Sequence, residues 1–470
     1  MENLTEQELE DVLFSIGPNY LGKYLMNKFF IQIKTTFRKK DIPSYDYEKH
    51  DFSHVDQLAI QKLYQEVIHH ENIHYVHEVS TMVGITTFYF QVINRAIFTE
   101  FVNVPESSSV EKISGEKFDM WKGINGTLFT IMGGSAVNFD NRIVYNIQKI
   151  EHIDIKAYAP YYEDKMDMSV PMIHYEYLEK TTGQRLTDQV FFGHFYIYEG
   201  LASNLERECA GLLGKKNPPK SKLGFEYLLM EKVAKHIYPR IKSRDMLELA
   251  SLSLSYLNAA QMFVQFVTEL KAAKGKKKNF VEKKKNEVSY ILSEKLDGVK
   301  QTLEEIAGIF DYRESFKKAV GHLTSVMLEG YKKRIENPVF EVDLTFAGEH
   351  YRMGEYVTLC DMAYELVDND DYMKDYSGTY LAEDSLSHAL RVLLCHVDYY
   401  SSFVKGEQNH RCPQYTFCSH ERRKQKPDQC RTTPRLAFED MDELGACHYS
   451  LGVAYCKATD IAQTGSQEKI

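Results

Sequence analysis

The chain is poor in the residues that interrupt helices. It has only 12 Pro and 26 Gly in 470 residues, and long stretches carry helical apolar spacing. That balance favours a helix-rich fold over a turn-rich all-β one. Tryptophan is nearly absent, with one Trp against 32 Tyr and 26 Phe. No segment supplies the roughly twenty uninterrupted apolar residues that a membrane-spanning helix needs, so no membrane partner is expected. The start, Met1-Glu2-Asn3-Leu4-Thr5-Glu6, lacks the basic and apolar regions of a secretory signal, which predicts a cytoplasmic protein with reduced cysteines. Excess positive charge is also missing. The net charge of -10 argues against general nucleic-acid binding. With 43% hydrophobic residues there is ample material for a large core, and the length suggests two or three domains.

What is present is a concentration of histidine. Residues 66–78 hold four His and three Glu, including His70-Glu71-Asn72-Ile73-His74. Positions four apart lie one helical turn above each other, so His70 and His74 can aim two imidazoles at one ion. Glu71, one step along, can reach a water on that ion, which is the HExxH arrangement of zinc hydrolases. Leu63, Val67, His70, His74 and His77 follow a helical stripe, with Asp56 as the expected N-cap and Gly84 as the expected stop. Burying this many charged groups unpaired would be costly, so a plain core face fits them poorly.

A catalytic zinc takes three protein ligands and keeps one position for water. The best third ligand lies in Tyr198-Glu199-Gly200-Leu201-Ala202. His-Glu-x-x-His followed downstream by Glu-Gly-Leu-Ala resembles the gluzincin metallopeptidases. The resemblance implies His70, His74 and Glu199 as zinc ligands and Glu71 as general base, acting on a protein or peptide substrate. It also implies a small sheet whose edge strand pairs with extended substrate. Glu78 is the other candidate ligand, but three ligands along one straight helix span too great a distance for one ion. His77, His194 and Tyr198 are near the motifs as possible oxyanion donors, with no residue singled out. His69 points away from its neighbour and reads as either a support to the ligands or a surface group.

The expected fold class is α+β and predominantly α-helical: a gluzincin-like metal region with a small β-sheet, then helical and Cys-rich C-terminal parts. The expected divisions are an N-terminal segment 1–50, a zinc-binding region 51–215 with a β insertion at about 127–185, a helical region 216–400, and a Cys/His-rich tail 401–470. Phe29–Thr35, Ile153–Tyr158 and Met172–Tyr177 read as strands, and Ala136–Ile147 as a hairpin about Asp140-Asn141. Thr87–Phe101 reads as a helix, Asn103–Gly126 as loop, and Met246–Leu270 as one buried helix. Residues 271–285 carry eight Lys in fifteen residues and read as a solvated linker or helix face.

Five of the eight Cys fall after residue 410. Cys412, Cys418, His420 and Cys430 form a candidate second, structural zinc site, with Cys395-His396 and Cys447-His448 nearby in sequence. No Cys-x-x-Cys pair occurs, so the spacing matches no standard finger. Two other functions remain open. Glu66-x-x-His69 and Glu71-x-x-His74, with Glu199 and Glu206, suggest a di-iron helical-bundle oxidoreductase. A non-catalytic, metal-stabilised interaction protein is the other. In the peptidase reading, the later parts would recognise a substrate or a regulatory protein partner, or hold the enzyme inactive.

Overall fold

The computed structural model describes residues 22–25, 30–35, 65–101, 116–133, 147–158, 168–178, 182–215, 224–273, 277–309, 314–357, 361–367, 374–379, 384–404 and 447–457, with Cys412, Cys430 and Thr432. The described architecture is α+β and predominantly helical. The expected Asp56 cap and the Asp140-Asn141 hairpin lie outside the described residues.

Helix α1 (Gln65–Ser80) carries the histidine motif and is buried nearly all round. Its Ile73, Val76 and Val79 are fully buried, each contributing roughly 1.5–3 kcal/mol of apolar burial. Helix α2 (Met82–Phe101) follows after a single bend at Thr81. Gly84 therefore does not end α1 but sits in the first turn of α2. Thr81 makes the break: its hydroxyl donates to the His77 carbonyl at 2.6 Å and accepts from the Gly84 N–H at 3.0 Å. That is the N-cap role of threonine, satisfying an orphan N–H of the new helix. Glycine is required at 84 for another reason, because an added Cβ would lie 2.2 Å from the Glu78 carbonyl oxygen.

Helix α3 (Glu116–Met132) begins inside the span expected to be loop. Its Trp121, Ile124 and Leu128 pack on Ile97 and Phe98 of α2 in a second hydrophobic core, and that tertiary burial outweighs the glycines at 123 and 126. Strands β3 (Ile147–Tyr158), β4 (Met168–Leu178) and β5 (Arg185–Phe191) form an antiparallel meander with β4 in the middle. Both strands expected in this region are present within β3 and β4. The inner face of the sheet, including Ile150, Ile173, Tyr175 and Val190, joins the main core. From β5 the chain passes through Phe192 and Gly193 directly into α4 (His194–Leu212).

A second sheet joins β1 (Gly22–Leu25) and β2 (Phe30–Thr35) to β6 (Asp361–Val367) and β7 (Lys374–Thr379). β2 and β6 run parallel, so this sheet joins the first described strands to a segment far along the chain. β2 lies where Phe29–Thr35 was expected to be extended.

Among the described residues, the remaining α-helices are α5 (Phe225–Ile237), α6 (Ser243–Ser253), α7 (Ala259–Ala272), α8 (Lys277–Glu294), α9 (Leu296–Ile309), α10 (Glu314–Glu336), α11 (Phe340–Phe346), α12 (Asp384–Val404) and α13 (His448–Lys457). The single helix expected over 246–270 is in fact α6 and α7, parted at Leu254–Asn258, where the Leu254 carbonyl accepts from the Val83 N–H at 3.3 Å. Bending away there lets the chain satisfy α2 as well as itself. The lysine-rich stretch becomes helical at Lys277. Lys284 pairs with Glu269 and Glu287, and Lys285 with Glu248 and Glu282, so these lysines knit α8 to α6 and α7.

α1 packs between α4 on one side and α10 on the other. This arrangement brings the motif helix against the helix that carries Glu199. Among the described residues, no helix is long and apolar enough to cross a membrane.

Candidate metal centre

His70 and His74 stand one turn apart on α1, as their spacing requires. Their Nε2 atoms are 3.0 Å apart, and the rings meet edge to face with centroids 4.8 Å apart. Glu199 comes from the second turn of α4. Its Oε2 lies 3.7 Å from Nε2 of His70 and 3.5 Å from Nε2 of His74. The three residues are buried, with exposures of 7%, 8% and 8%. Bonds of about 2.0–2.2 Å to a tetrahedral ion place ligand atoms roughly 3.3–3.5 Å apart. The observed separations of 3.0, 3.5 and 3.7 Å bracket that range. The donor set therefore fits a zinc-sized cation.

Two local features hold Glu199 in place. Gly200 lets α4 approach α5 closely, since a Cβ there would lie 2.6 Å from Cβ of Met230. Its neighbours Ile197, Leu201 and Ala202 are fully buried and fix the rotation of α4. Glu199 is thus an interior helical residue, not one of the first-turn carboxylates that a helix dipole stabilises.

Sequence reasoning gave Glu206 no role at a zinc centre. It lies two turns beyond Glu199 on the same face of α4, and its Oε2 accepts from Nδ1 of His70 at 2.9 Å. Donation from Nδ1 leaves the Nε2 lone pair directed at His74 and Glu199, which is the tautomer that binds metal. The i, i+7 spacing was visible in the sequence, but the contact was not.

The centre attracts positive charge. Burial by itself would lower the pKa of His70, but hydrogen bonds to Glu199 and Glu206 and the nearby charges of Glu206 and Glu71 raise it well above the ordinary imidazole value. Burial would raise the pKa of Glu199, but His74 and His70 hold it down at about 2. The proton that His70 retains occupies the electrostatic place a cation would take. Glu71 is 5% exposed and close enough for its charge to act on His70. Tyr227 of α5 stands at the site, its ring centroid 5.9 Å from that of His70. It was not among the donors considered from sequence.

Those donors belong to a different structure. His77 is fully buried, with Nε2 3.3 Å from Oε1 of Glu341, and its ring stacks on Tyr198 at 5.1 Å. Burial lowers its pKa to about 4. Tyr198 in turn lies 5.2 Å from the ring of His194, a buried residue that burial holds neutral at about pKa 3. Glu341 is fully buried and paired with Arg334 at 3.2 Å. Arg334 also donates to Ser80 Oγ at 2.9 Å, to Ser251 Oγ at 3.1 Å and to the Pro338 carbonyl at 2.8 Å. This network anchors the C-terminal half of α1 to α10 and α11. His69 is no surface group: buried, it bonds Thr345 of α11 at 2.9 Å, and burial lowers its pKa to about 3. Its partner in the Glu-x-x-His pattern, Glu66, forms an ion pair with Lys215.

In the tail, the Cys412 N–H donates to the Cys430 carbonyl at 3.0 Å. Both cysteines lie against the second core together with Cys395 and Cys447, and all four are free thiols. Cys418 and His420 lie outside the described residues. His396, beside Cys395, is buried and bonded through Nδ1 to the Gly452 carbonyl at 3.2 Å.

No known protein family, no curated protein and no solved structure matches this chain.

Proposed function

We propose that this protein is a zinc-dependent hydrolase, a metallopeptidase working at the His70–His74–Glu199 centre. The observation that carries the proposal is the convergence of two imidazole nitrogens and one carboxylate oxygen from two helices onto one buried point, with the buried Glu71 near enough for its charge to act on His70. A zinc ion held by these ligands supplies Lewis acidity, polarising a carbonyl and acidifying water. In this reading Glu71 is the general base that takes the proton of the attacking water and passes it to the leaving amine. Water adds across the C–N bond, its hydroxyl going to the carbonyl carbon and its one remaining proton, carried by Glu71, to the leaving amine nitrogen. Glu206 holds His70 in the ligating tautomer.

A peptide substrate is supported by β5, an edge strand of the meander that runs directly into α4. An edge of this kind accepts an extended chain by main-chain pairing. Against a di-iron centre stand the partners of Glu66 and His69, which are Lys215 and Thr345 rather than a second metal position.

The test is digestion of a mixed peptide library by the zinc-loaded chain and by Glu71→Gln. Cleavage by the first and not the second is expected. Equal cleavage by both would remove Glu71 from the mechanism. A zinc-loaded chain that cleaves no peptide would refute the peptidase reading.

A further inference from the structure

We propose a second cation site, for a divalent transition metal, formed by His152, Asp154 and His174 on the solvent face of the β3–β4–β5 sheet. It uses no residue of the centre described above and does not rest on the peptidase reading.

The site is built by a β-bulge. β3 pairs Ile150 with Tyr175 and then His152 with His174, so β3 spends one more residue than β4 at this step. The consequence is seen in which residues face inward. Ile150 is buried and Ile153 packs on the main core, although they are three apart. Strict alternation cannot put positions three apart on one face. The extra residue resets the alternation, and His152 and Asp154 both turn outward beside His174.

The three side chains then converge. The imidazoles of His152 and His174 stack with centroids 3.9 Å apart and planes 13° apart. One carboxylate oxygen, Oδ2 of Asp154, lies 3.2 Å from Nε2 of His174 and 3.7 Å from Nε2 of His152. One ligand atom from each residue falls within 4.8 Å of the other two. A single His–Asp pair would explain one of these contacts but not the second imidazole aimed at the same oxygen. Side-chain exposures of 56%, 43% and 23% for His152, Asp154 and His174 leave room for the rings to turn their lone pairs onto one ion and for water to complete its shell.

The donor chemistry selects the ion. Two imidazoles with one carboxylate suit zinc, nickel or copper, whereas calcium and magnesium require an oxygen shell. With three protein ligands and only partial burial, this site binds more weakly than the buried centre. Its occupancy therefore varies over metal concentrations at which the centre stays full. A bound ion would clamp β3 to β4 across the bulge.

The test is cobalt(II) and zinc titration of the full chain, with His70→Ala included to remove the buried centre. The His70→Ala chain is expected to bind a cobalt equivalent whose absorption lacks thiolate charge transfer, which separates it from any ion held by the cysteines. That equivalent is lost when His152→Asn and His174→Asn are added, with an unchanged far-ultraviolet circular dichroism spectrum. Zinc is also expected to slow amide exchange along β3 and β4 in the His70→Ala chain and not in the variant lacking both surface histidines. Persistence of the thiolate-free equivalent in that variant would overturn the proposal. So would the absence of any such equivalent at submillimolar metal.

Discussion

Glu206 provides a graded test of how the metal ligands are held. Its carboxylate accepts from Nδ1 of His70 at 2.9 Å, and its side chain is 31% exposed. Removing the outer partner of a ligating histidine lowers metal affinity by roughly 10–100-fold, or about 1.4–2.7 kcal/mol. Partial exposure screens the charge, which places Glu206→Ala toward the lower half of that range. Glu206→Gln keeps an acceptor for Nδ1 and loses only the charge, so its loss is expected to be smaller. Zinc affinity would be read by competition with a chelator of known affinity, with circular dichroism to show an intact fold. The stoichiometry at saturating zinc should be unchanged in both variants. Unchanged affinity in Glu206→Ala would show that the contact does not support His70. Loss of the equivalent at saturation would make Glu206 a ligand and refute the three-ligand assignment.

Glu71→Gln is expected to keep the zinc of the centre and to lower turnover about 10²–10⁴-fold, the usual contribution of a positioned general base; metal analysis beside a peptide assay separates the two effects. Arg334→Met leaves Glu341 as an uncompensated charge in the core and is expected to destabilise by roughly 3–5 kcal/mol. In urea melts, the double variant Arg334→Met with Glu341→Leu should recover much of that loss. Acid should also destabilise the fold through its buried neutral histidines. Burial lowers His69, His194 and His396 to about 3 and His77 to about 4. The unfolded chain then binds the extra protons, so stability is full above about pH 6.5 and falls as pH drops toward 4, at about 1.4 kcal/mol per unit for each residue. Glu341, held at about 2 against its burial by Arg334 and His77, adds a further loss below its ordinary carboxylate range. Urea midpoints measured in chelator at pH 7 and pH 5 check the slope, and equal midpoints would contradict it.

The parts of the centre that depend on one helix were legible in the sequence. His70, Glu71 and His74 are local, and the spacing alone sets their geometry. Glu199 was reached by resemblance rather than periodicity, because α2, α3 and three strands separate its helix from α1. The role of Glu206 needed the contact as well as the spacing. His77, His194 and Tyr198 sit beside the motifs in sequence, yet the first is set by Glu341 and Arg334, far along the chain. Gly84 drew attention as a helix stop, while the threonine three residues earlier held the capping signal. The pairing of His152 with His174 was hidden because a bulge resets the register, and no sequence alternation records an extra residue.

The most direct test of the central claim is elemental analysis of the chain purified without added metal, as wild type, His70→Ala and Glu199→Ala. Cation binding at the centre predicts zinc in the wild type and the loss of the same one equivalent in both variants. Zinc that persists unchanged in His70→Ala and Glu199→Ala, or two equivalents of iron in the wild type, would contradict it.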